Sequence, residues 1–265
     1  MTALVATDLD RTLIYSRRAM SLGDVSPPMT CVEVHAGRQA AFMTEACAHD
    51  LDELSRIATV VPVTTRIDSQ YRRVTLPMPP PRYVVAANGG VLYVDGLPDR
   101  AWSAAIRREL AGQFPFSSVW DFVTHVCHPD WTVKIRNADG LFCYAVVHPG
   151  RLPAGFVDDV AGWASERGWR TSFQGRKLYW VPAALTKSAA VAEVARRAEA
   201  RTVLAAGDSL LDVDLLLAAD RGIHPAHGEL FDRGWSAPTV VRTRQRGALA
   251  GEEIVTWFAD QVSAR

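Results

Sequence analysis

Four aspartates stand at the ends of two short apolar runs that lie far apart in the sequence. Asp8 and Asp10 follow the first run, and Asp208 and Asp212 follow the second. Apolar runs of this length are typical of buried strands, and ligands bind beyond the carboxyl ends of the strands in an open parallel sheet. Four carboxylates at one sheet edge repel one another unless a cation lies among them or protons are shared. The pattern therefore predicts a divalent metal site with a nucleophile or an acid/base group beside it.

Asp8 and Asp10 could supply the two carboxyl groups of a phosphoryl-transfer reaction. A carboxylate nucleophile needs a metal ion or cationic side chains to hold the phosphoryl oxygens and neutralise their charge. A second carboxyl group beside it can protonate the leaving oxygen and then activate water. Because Mg²⁺ prefers oxygen ligands, Asp208 and Asp212 would complete a magnesium site with this pair. For Asp212 the alternative is an acidic residue that serves only the first turn of its helix.

Polar residues at two further strand ends could bind the substrate. Thr64 and Thr65 follow an apolar run, and a hydroxyl with free backbone N–H groups can accept a phosphate there. Lys187, at the start of a predicted helix, would add a fixed positive charge. We expect Thr65, Arg66 and Asn88 to contact the substrate. The alternatives are a simple helix N-cap at Thr64 and a solvated helix position for Lys187.

The elements that must position these residues alternate between strand and helix. This alternation predicts a right-handed parallel sheet in an α/β, Rossmann-like core. An irregular segment over residues 16–37 interrupts it, and Met29–Val34 within that segment could form one arm of a small flap. The predicted core strands are Leu4–Thr7, Thr59–Val63, Tyr83–Ala87, Val203–Ala206 and Thr239–Val241. The predicted core helices are Gln39–Ser55, Asp68–Val74, Thr186–Ala200, Leu210–Ala218 and Gly247–Val262.

The pattern changes between residues 96 and 181, where short segments alternate polar with apolar residues. Half-buried strands with helices on one side predict an antiparallel α+β module. We therefore predict an α/β core formed by residues 1–95 and 182–265, interrupted by an inserted α+β cap over residues 96–181. The predicted cap strands are Val119–Val123, Trp131–Ile135, Phe142–Val147, Trp169–Phe173 and Leu178–Val181, with helices around 101–114 and 153–167.

Basic and aromatic residues lie close together on the predicted cap strands. Lys134 and Arg136 follow Trp131, and Lys177 precedes Tyr179. A cation for oxygen groups and a ring for the carbon skeleton suit a polar phosphorylated ligand. We therefore predict that these three basic residues bind the substrate.

The overall composition excludes several classes of partner. Lys plus Arg total 29 and Asp plus Glu total 29, so the formal net charge of zero favours neither nucleic acid nor a membrane surface. The cysteines lack CxxC spacing, and no run approaches the ~20 apolar residues of a membrane helix. His224 and His227 have no cysteine pair beside them, so we predict a loop role rather than zinc binding. We expect a cytoplasmic protein that acts on a small molecule, and the sequence leaves its oligomeric state open.

Taken together, the motifs resemble those of the haloacid dehalogenase superfamily of phosphohydrolases. Their order is similar to that of the Cof-type branch, in which a large α+β cap is inserted after the third strand. Asn88-Gly89-Gly90 resembles the Asn-Gly-Ala stretch that precedes the cap in that branch. The residues that carry the resemblance are Asp8-Leu9-Asp10-Arg11-Thr12, Thr64, Lys187 and Gly207-Asp208-Ser209-Leu210-Leu211-Asp212.

The resemblance implies a role for each matching residue. Asp8 would be the nucleophile that forms an aspartyl-phosphate, and Asp10 the general acid/base. Thr64 would bind the phosphoryl group, and Lys187 would steady both that group and Asp8. The metal shell implied for Mg²⁺ consists of Asp8, the backbone carbonyl of Asp10, Asp208 and, directly or through water, Asp212.

The sequence departs from the family pattern at three positions. Arg11 replaces the usual glycine, Thr65 replaces the glycine before Arg66, and Leu211 replaces an asparagine. We expect a Mg²⁺-dependent phosphatase that hydrolyses a small phosphorylated metabolite, with a sugar phosphate as one candidate. A phosphomutase or other phosphotransferase would use the same intermediate. A non-catalytic regulatory protein that binds a phosphorylated ligand is the other alternative, and the three departures favour it.

Overall fold

The protein is described here by a computed structural model that covers residues 3–264. Within these residues, no helix combines the length and the apolar character needed to cross a membrane. The strands are β1 Ala3–Thr7, β2 Met29–His35, β3 Arg38–Thr44, β4 Thr59–Pro62, β5 Tyr83–Ala86, β6 Val91–Val94, β7 Leu97–Pro98, β8 Thr132–Ala138, β9 Phe142–Val147, β10 Trp169–Gln174, β11 Lys177–Pro182, β12 Thr202–Ala206, β13 Arg221–His224 and β14 Val240–Arg242. The α-helices are α1 Glu45–Ile57, α2 Asp68–Tyr71, α3 Arg100–Leu110, α4 Phe116–Val126, α5 Phe156–Ser165, α6 Lys187–Arg197, α7 Val213–Ala218, α8 Gly228–Asp232 and α9 Ala248–Ser263.

The centre of the molecule is a five-stranded parallel sheet in the order β14-β13-β12-β1-β4. Every residue of β1 is buried, because Val5 packs towards α1 and α9 while Leu4 and Ala6 pack towards α6 and α7. Coverage on both faces explains the unbroken apolar run. Thr7 pairs with Ala206 on one side and with Pro62 on the other, so the loops after β1, β12 and β4 meet at one edge of the sheet. The predicted α/β core is confirmed.

The predicted third strand, β5, joins this sheet at a single point. Val63 and Val85 form an isolated parallel bridge, and the backbone N–H of Thr64 donates to the carbonyl of Val85 at 2.8 Å. The main partner of β5 is β6 in an antiparallel sheet of order β5-β6-β7. β6, β7 and β13 were not predicted from the sequence. In β13, Gly222 interrupts the apolar run, and a Cβ there would lie 2.9 Å from the side chain of Leu216.

The helix predicted over Gln39–Ser55 begins later than expected. Its first residues belong to β3, which pairs with β2 in an antiparallel hairpin, as expected of a flap that includes Met29–Val34. Thr44 is extended, and its side chain accepts a hydrogen bond from the backbone N–H of Cys47 at 3.1 Å. This N-cap sets the start of α1 at Glu45.

The strand predicted over Val119–Val123 is wrong, because these residues lie within α4. Val119 and Val123 are fully buried, and their spacing of four places them on one helical face. Valine and the aromatic neighbours Trp120 and Phe122 favour strands by composition, but their packing follows the helical period.

The predicted antiparallel cap is present as a sheet of order β10-β11-β9-β8. Side chains of α4 and α5 pack into the same apolar cluster as this sheet. From another part of the fold, Gln70 of α2 donates a hydrogen bond to the hydroxyl of Tyr144 on β9 at 2.9 Å. The cap sheet therefore lies directly over the residues that follow β4. Its limits at residues 96 and 181 stay a prediction.

Candidate active site

Asp8 is the first residue after β1 and is buried against a lysine. Lys187, at the start of α6, is 1% exposed, and its Nζ donates to Asp8 Oδ1 at 2.6 Å and to Asp212 Oδ1 at 2.5 Å. Thr12 Oγ1 donates more weakly to Asp8 Oδ2, at 3.4 Å. Burial rules out a solvated helix position for Lys187. Its charge is instead shared between two carboxylates that the parallel register of β1 and β12 brings together.

Asp8, Asp208 and Asp212 form the one group within residues 3–264 in which three or more His, Cys, Asp or Glu side chains could hold a metal ion. Their carboxylate oxygens lie within 4.8 Å of one another. Asp208 Oδ2 is buried without a hydrogen-bond partner, and Arg11 Nε lies 3.3 Å from it. This oxygen forms an ion pair with Arg11 but accepts no hydrogen bond, and a hard cation would satisfy it. The cluster therefore fits a Mg²⁺ ion.

Asp212 is held by more protein contacts than the other two aspartates. Its Oδ2 accepts from the backbone N–H groups of Asp208 at 3.2 Å and Ser209 at 3.0 Å, and from Ser209 Oγ at 2.7 Å. With Oδ1 bonded to Lys187, this geometry favours an indirect contribution through water over direct coordination. Gly207 makes the arrangement possible, because a Cβ there would lie 2.3 Å from the Cβ of Asp212.

Burial shifts the protonation of the aspartates in the cluster. Desolvation raises the pKa of Asp8 from 3.8 to about 7, against the opposing charge of Lys187. Desolvation and the charge of Asp8 likewise raise the pKa of Asp208. Around neutral pH the metal-free protein therefore holds protons in this cluster. A divalent cation favours the ionised carboxylates and would displace these protons.

Mg²⁺ binding is therefore expected to release protons and to weaken as the pH falls. With a carboxyl pKa of about 7 in the free site, affinity should fall about tenfold between pH 8 and pH 6 for one displaced proton. The folding stability of the metal-free protein depends on pH in the opposite direction to the Mg²⁺ affinity. Because the carboxyl pKa is higher in the folded state than in the unfolded state, the folded state loses stability as the pH rises towards 7. Titration calorimetry in two buffers of different ionisation enthalpy measures the released protons. Equal affinities at both pH values would contradict the assignment.

Asp10 lies in a different environment, because Arg66 binds it in a bidentate pair. Arg66 Nε donates to Asp10 Oδ2 at 2.7 Å, and Arg66 Nη2 donates to Asp10 Oδ1 at 2.8 Å. Burial alone would raise the pKa of Asp10, but the charge and hydrogen bonds of Arg66 hold it well below its usual range. Arg66 Nη2 also donates to Glu33 Oε2 at 2.9 Å, and Arg73 Nε lies 3.1 Å from Glu33 Oε1. Sequence reasoning missed Glu33, since a single glutamate in the flap carries no motif.

The predicted phosphate-binding residues after β4 and β5 also come together. Thr64 Oγ1 accepts from the backbone N–H of Arg66 at 3.1 Å, which leaves its hydroxyl hydrogen free to donate. Thr65 contacts Tyr179 of the cap. Asn88 Nδ2 donates to the carbonyl of Leu185 at 2.8 Å, whereas its Oδ1 is buried without a hydrogen-bond partner.

Of the three predicted cap residues, only Lys177 reaches the site. It lines a cleft of about 400 Å³ together with Asp10. Lys134 and Arg136 are exposed on the edge strand β8 and do not line this cleft. The register pairs Arg136 with Tyr144, and Tyr144 with Tyr179. Arg136 therefore lies on the same sheet face as Lys177 but two strands away, and the two strands β8 and β11 are about 10 Å apart. The roles of Lys134 and Arg136 stay predictions.

Arg11 departs from the family pattern at a position where the backbone itself favours glycine. Its φ of 66° lies in the left-handed region. His227 Nε2 donates to the Arg11 carbonyl at 2.8 Å, and His227 Nδ1 accepts from the N–H of Gly247 at 3.1 Å. Both ring nitrogens of His227 are thus used within the protein, and burial lowers its pKa to about 4. His227 holds a loop, as predicted.

Comparison with known proteins identifies the fold. No protein-family model matches the sequence, and no curated protein matches it. The structure of the sucrose-phosphatase from Synechocystis in complex with sucrose and phosphate is similar, with a TM-score of 0.66, 15% identity and coverage of 98% of this chain and 99% of that chain. The C-terminal domain of trehalose-6-phosphate phosphatase from C. albicans is similar with a TM-score of 0.60, 13% identity and coverage of 97% and 92%.

A phosphatase of the haloalkanoate enzyme superfamily from Bacteroides thetaiotaomicron is also similar, with a TM-score of 0.52, 16% identity and coverage of 98% of this chain and 96% of that chain. At these identities the likeness concerns the fold. The chain shares the fold of these three solved structures over 97–98% of its length. The resemblance drawn from the motifs is confirmed at that level.

Proposed function

We propose that the protein is a Mg²⁺-dependent phosphatase that hydrolyses a small phosphorylated metabolite through an aspartyl-phosphate on Asp8. The observation that carries this proposal is the buried cluster in which Lys187 bridges Asp8 and Asp212 beside the unpartnered oxygen of Asp208. Such a cluster holds a carboxylate next to a fixed cation and a candidate metal site. These are the parts that an attack on phosphorus requires.

In the proposed reaction Asp8 attacks phosphorus and Lys187 steadies both the carboxylate and the phosphoryl oxygens. Thr64, with its free hydroxyl hydrogen, would donate to the same group. Asp8, the backbone carbonyl of Asp10 and Asp208 would hold Mg²⁺ when it is bound, and the ion would supply neutralising charge. Asp10 gives a proton to the leaving oxygen and later takes one from the water that attacks the acyl phosphate.

The contact between Asp10 and Arg66 bears on this proton transfer. A carboxylate paired with a guanidinium is ionised. An ionised Asp10 can accept a proton from the attacking water, but it has no proton to give to the leaving oxygen. An incoming phosphoryl group offers Arg66 another anion, since a guanidinium binds phosphate and carboxylate with the same fork of donors. We therefore assign to Arg66 a contact with the substrate that releases Asp10 for protonation. Thr65 and Asn88 would complete the substrate pocket on the core side.

Contacts between the cap and the core support a small substrate. Gln70 of α2 donates a hydrogen bond to Tyr144 of the cap sheet, and the cleft between core and cap has a volume of about 400 Å³. A sugar phosphate is one candidate. The similar structure from Synechocystis was solved with sucrose and phosphate, which supports a small phosphorylated ligand here.

A regulatory protein that binds but does not turn over its ligand is the second candidate. One observation favours it, namely the Arg11 guanidinium that lies 3.3 Å from Asp208 Oδ2, beside the oxygen a metal would need. A phosphotransferase would share the chemistry of Asp8 and would differ only in its acceptor.

A screen of phosphorylated metabolites with and without Mg²⁺ separates these candidates. Release of inorganic phosphate that depends on Mg²⁺ supports the phosphatase. Turnover that requires a bisphosphate activator and yields an isomeric ester supports a mutase. Ligand-induced thermal stabilisation without any turnover of any ester would support the regulatory protein and overturn our proposal.

The cap residues are expected to affect affinity more than chemistry. Changing Lys177 to Ala should raise the KM of the preferred ester found in the screen, because its ammonium group lines the cleft beside Asp10. Lys134→Ala and Arg136→Ala should raise KM less, since both residues are exposed two strands away. For each variant the rise in KM for a small aryl phosphate should be smaller. Equal losses of kcat on both esters, at unchanged stability, would place these residues in the catalytic chemistry instead.

A further inference from the structure

A cleft of about 400 Å³ lies between the core and the cap beside the proposed reaction centre. Asp10 lines it, whereas Asp8 does not. One wall is the core segment over residues 14–21, and the other is the turn at residues 174–177 that joins β10 to β11. Because Asp10 is the group proposed to protonate the leaving oxygen, this cleft would receive the leaving group.

The cleft is strongly basic, in contrast to the chain as a whole. Its side chains include four cations, drawn from both the core and the cap, and one carboxylate. The carboxylate, Asp10, is already paired with Arg66, and Arg11 lies against Asp208. The remaining three cations form no salt bridge with any residue in the described part of the chain. These three are Arg18, Arg176 and Lys177.

This charge pattern does not suit a neutral polyhydroxy group. Sugar hydroxyls donate hydrogen bonds as well as accept them, so a sugar site needs acceptors such as free carboxylates. Here the side-chain acceptors are the neutral groups of Ser16, Ser21 and Gln174 and the carboxylate of Asp10, which in the free protein already accepts two hydrogen bonds from Arg66. Guanidinium and ammonium groups offer donors only, and three of them at one cleft repel one another unless an anion enters. Guanidinium groups also match the geometry of carboxylate and phosphate oxygens.

We infer that the substrate carries a second anionic group, a carboxylate or a further phosphate, on the part of the molecule that leaves with the ester oxygen. This inference rests on the proposed phosphatase function and narrows its substrate class. Arg18 from the core and Arg176 and Lys177 from the cap bind that second group. The cleft thereby selects anionic leaving groups over the neutral sugars that plain sugar phosphates release.

Matched pairs of esters test the inference, because they differ in the second anionic group. Phosphoglycerate and glycerol phosphate differ by a carboxylate in place of a hydroxymethyl group. Fructose bisphosphate and fructose monophosphate test a further phosphate in the same way. The expected result is a kcat/KM at least about tenfold higher for the more anionic member of one pair, the size of effect that a charge-assisted hydrogen bond supports. The pair that shows the preference identifies the anion. Ratios near one in both pairs would overturn the inference.

Variants assign the preference to the cleft. Arg18→Gln, Arg176→Gln and the double variant should lower the ratio within the preferred pair. Arg17→Gln is the matched control, because Arg17 lies next to Arg18 in sequence but stacks over Phe42 at 4.6 Å and does not line the cleft. The ratio of kcat/KM within the preferred pair should be unchanged in the control. If this ratio is also unchanged in the double variant, the inference is overturned.

A binding measurement separates this inference from the proposed function. Calorimetry of the members of both ester pairs with Asp8→Asn needs no turnover, and the arginine variants can be combined with it. Tighter binding of the more anionic member of a pair that is lost on combination with Arg176→Gln sustains the basic subsite even if no ester is hydrolysed. Equal affinities for the members of both ester pairs would overturn the subsite even if the protein proves to be a phosphatase.

Discussion

Asp8→Asn is expected to reduce kcat by several orders of magnitude. An amide is a far poorer nucleophile than a carboxylate, so the covalent step would lose its attacking group. The change is nearly isosteric, and Lys187 keeps its contact with Asp212 at 2.5 Å, so the variant should remain folded. Steady-state hydrolysis of an aryl phosphate measures the loss, and a thermal melt checks the fold.

Asp10→Asn is the matched comparison for this variant. It removes a carboxylate two residues away whose proposed role is proton transfer, which contributes ~10²–10⁴-fold. The Asp10 variant should therefore retain more activity than the Asp8 variant on an aryl phosphate, whose leaving group needs little protonation. If Asp8→Asn kept more than a small fraction of wild-type kcat, the covalent mechanism would be wrong.

Removal of divalent cations has the second largest expected effect. EDTA should abolish hydrolysis, and Mg²⁺ should restore it, because without a cation the buried carboxyl groups of Asp8 and Asp208 hold protons, and a protonated Asp8 is a poor nucleophile. The titration of activity with Mg²⁺ measures the requirement. Full activity in metal-free buffer would contradict the assignment of the cluster.

Two variants localise the metal effect. Asp208→Asn should raise the Mg²⁺ concentration needed for half-maximal activity, because it removes the unpartnered oxygen of the cluster. Asp214→Asn is the control, since Asp214 lies in the same region but accepts from the N–H of Ser188 at 2.9 Å and does not belong to the cluster. The Mg²⁺ requirement of the control should be unchanged. A shift of equal size in both variants would point to a general loss of stability.

The sequence was most informative where the local pattern and the fold agree. β1 and β12 are buried on both faces, so their apolar runs are continuous and end abruptly at Asp8 and Asp208. Parallel pairing then brings those ends together with little freedom. The cluster with Lys187 follows from this topology, and for that reason the motifs sufficed to predict it.

Prediction failed where the residue types favour one secondary structure and the spacing of apolar residues favours another. It also failed where a feature depends on contacts between distant segments of the chain. Residues 116–126 carry valines and aromatics, which favour strands, yet their apolar spacing is helical and they form α4. Glu33 reaches Arg66 only because the β2–β3 hairpin folds over the site. The basic cleft joins Arg18 to Arg176, which no local pattern connects. These features depend on the packing of separate segments.

The central claim is that Asp8 becomes phosphorylated during turnover, and trapping that acyl phosphate tests it most directly. Protein mixed with an aryl phosphate and Mg²⁺ is quenched in acid, reduced with borohydride and digested with trypsin. Reduction converts a phosphorylated aspartate to homoserine, and Asp8 lies in the peptide that ends at Arg11. We predict homoserine at position 8 only when Mg²⁺ and substrate are both present. An unmodified peptide during active turnover, or homoserine at position 10 instead, would contradict the account.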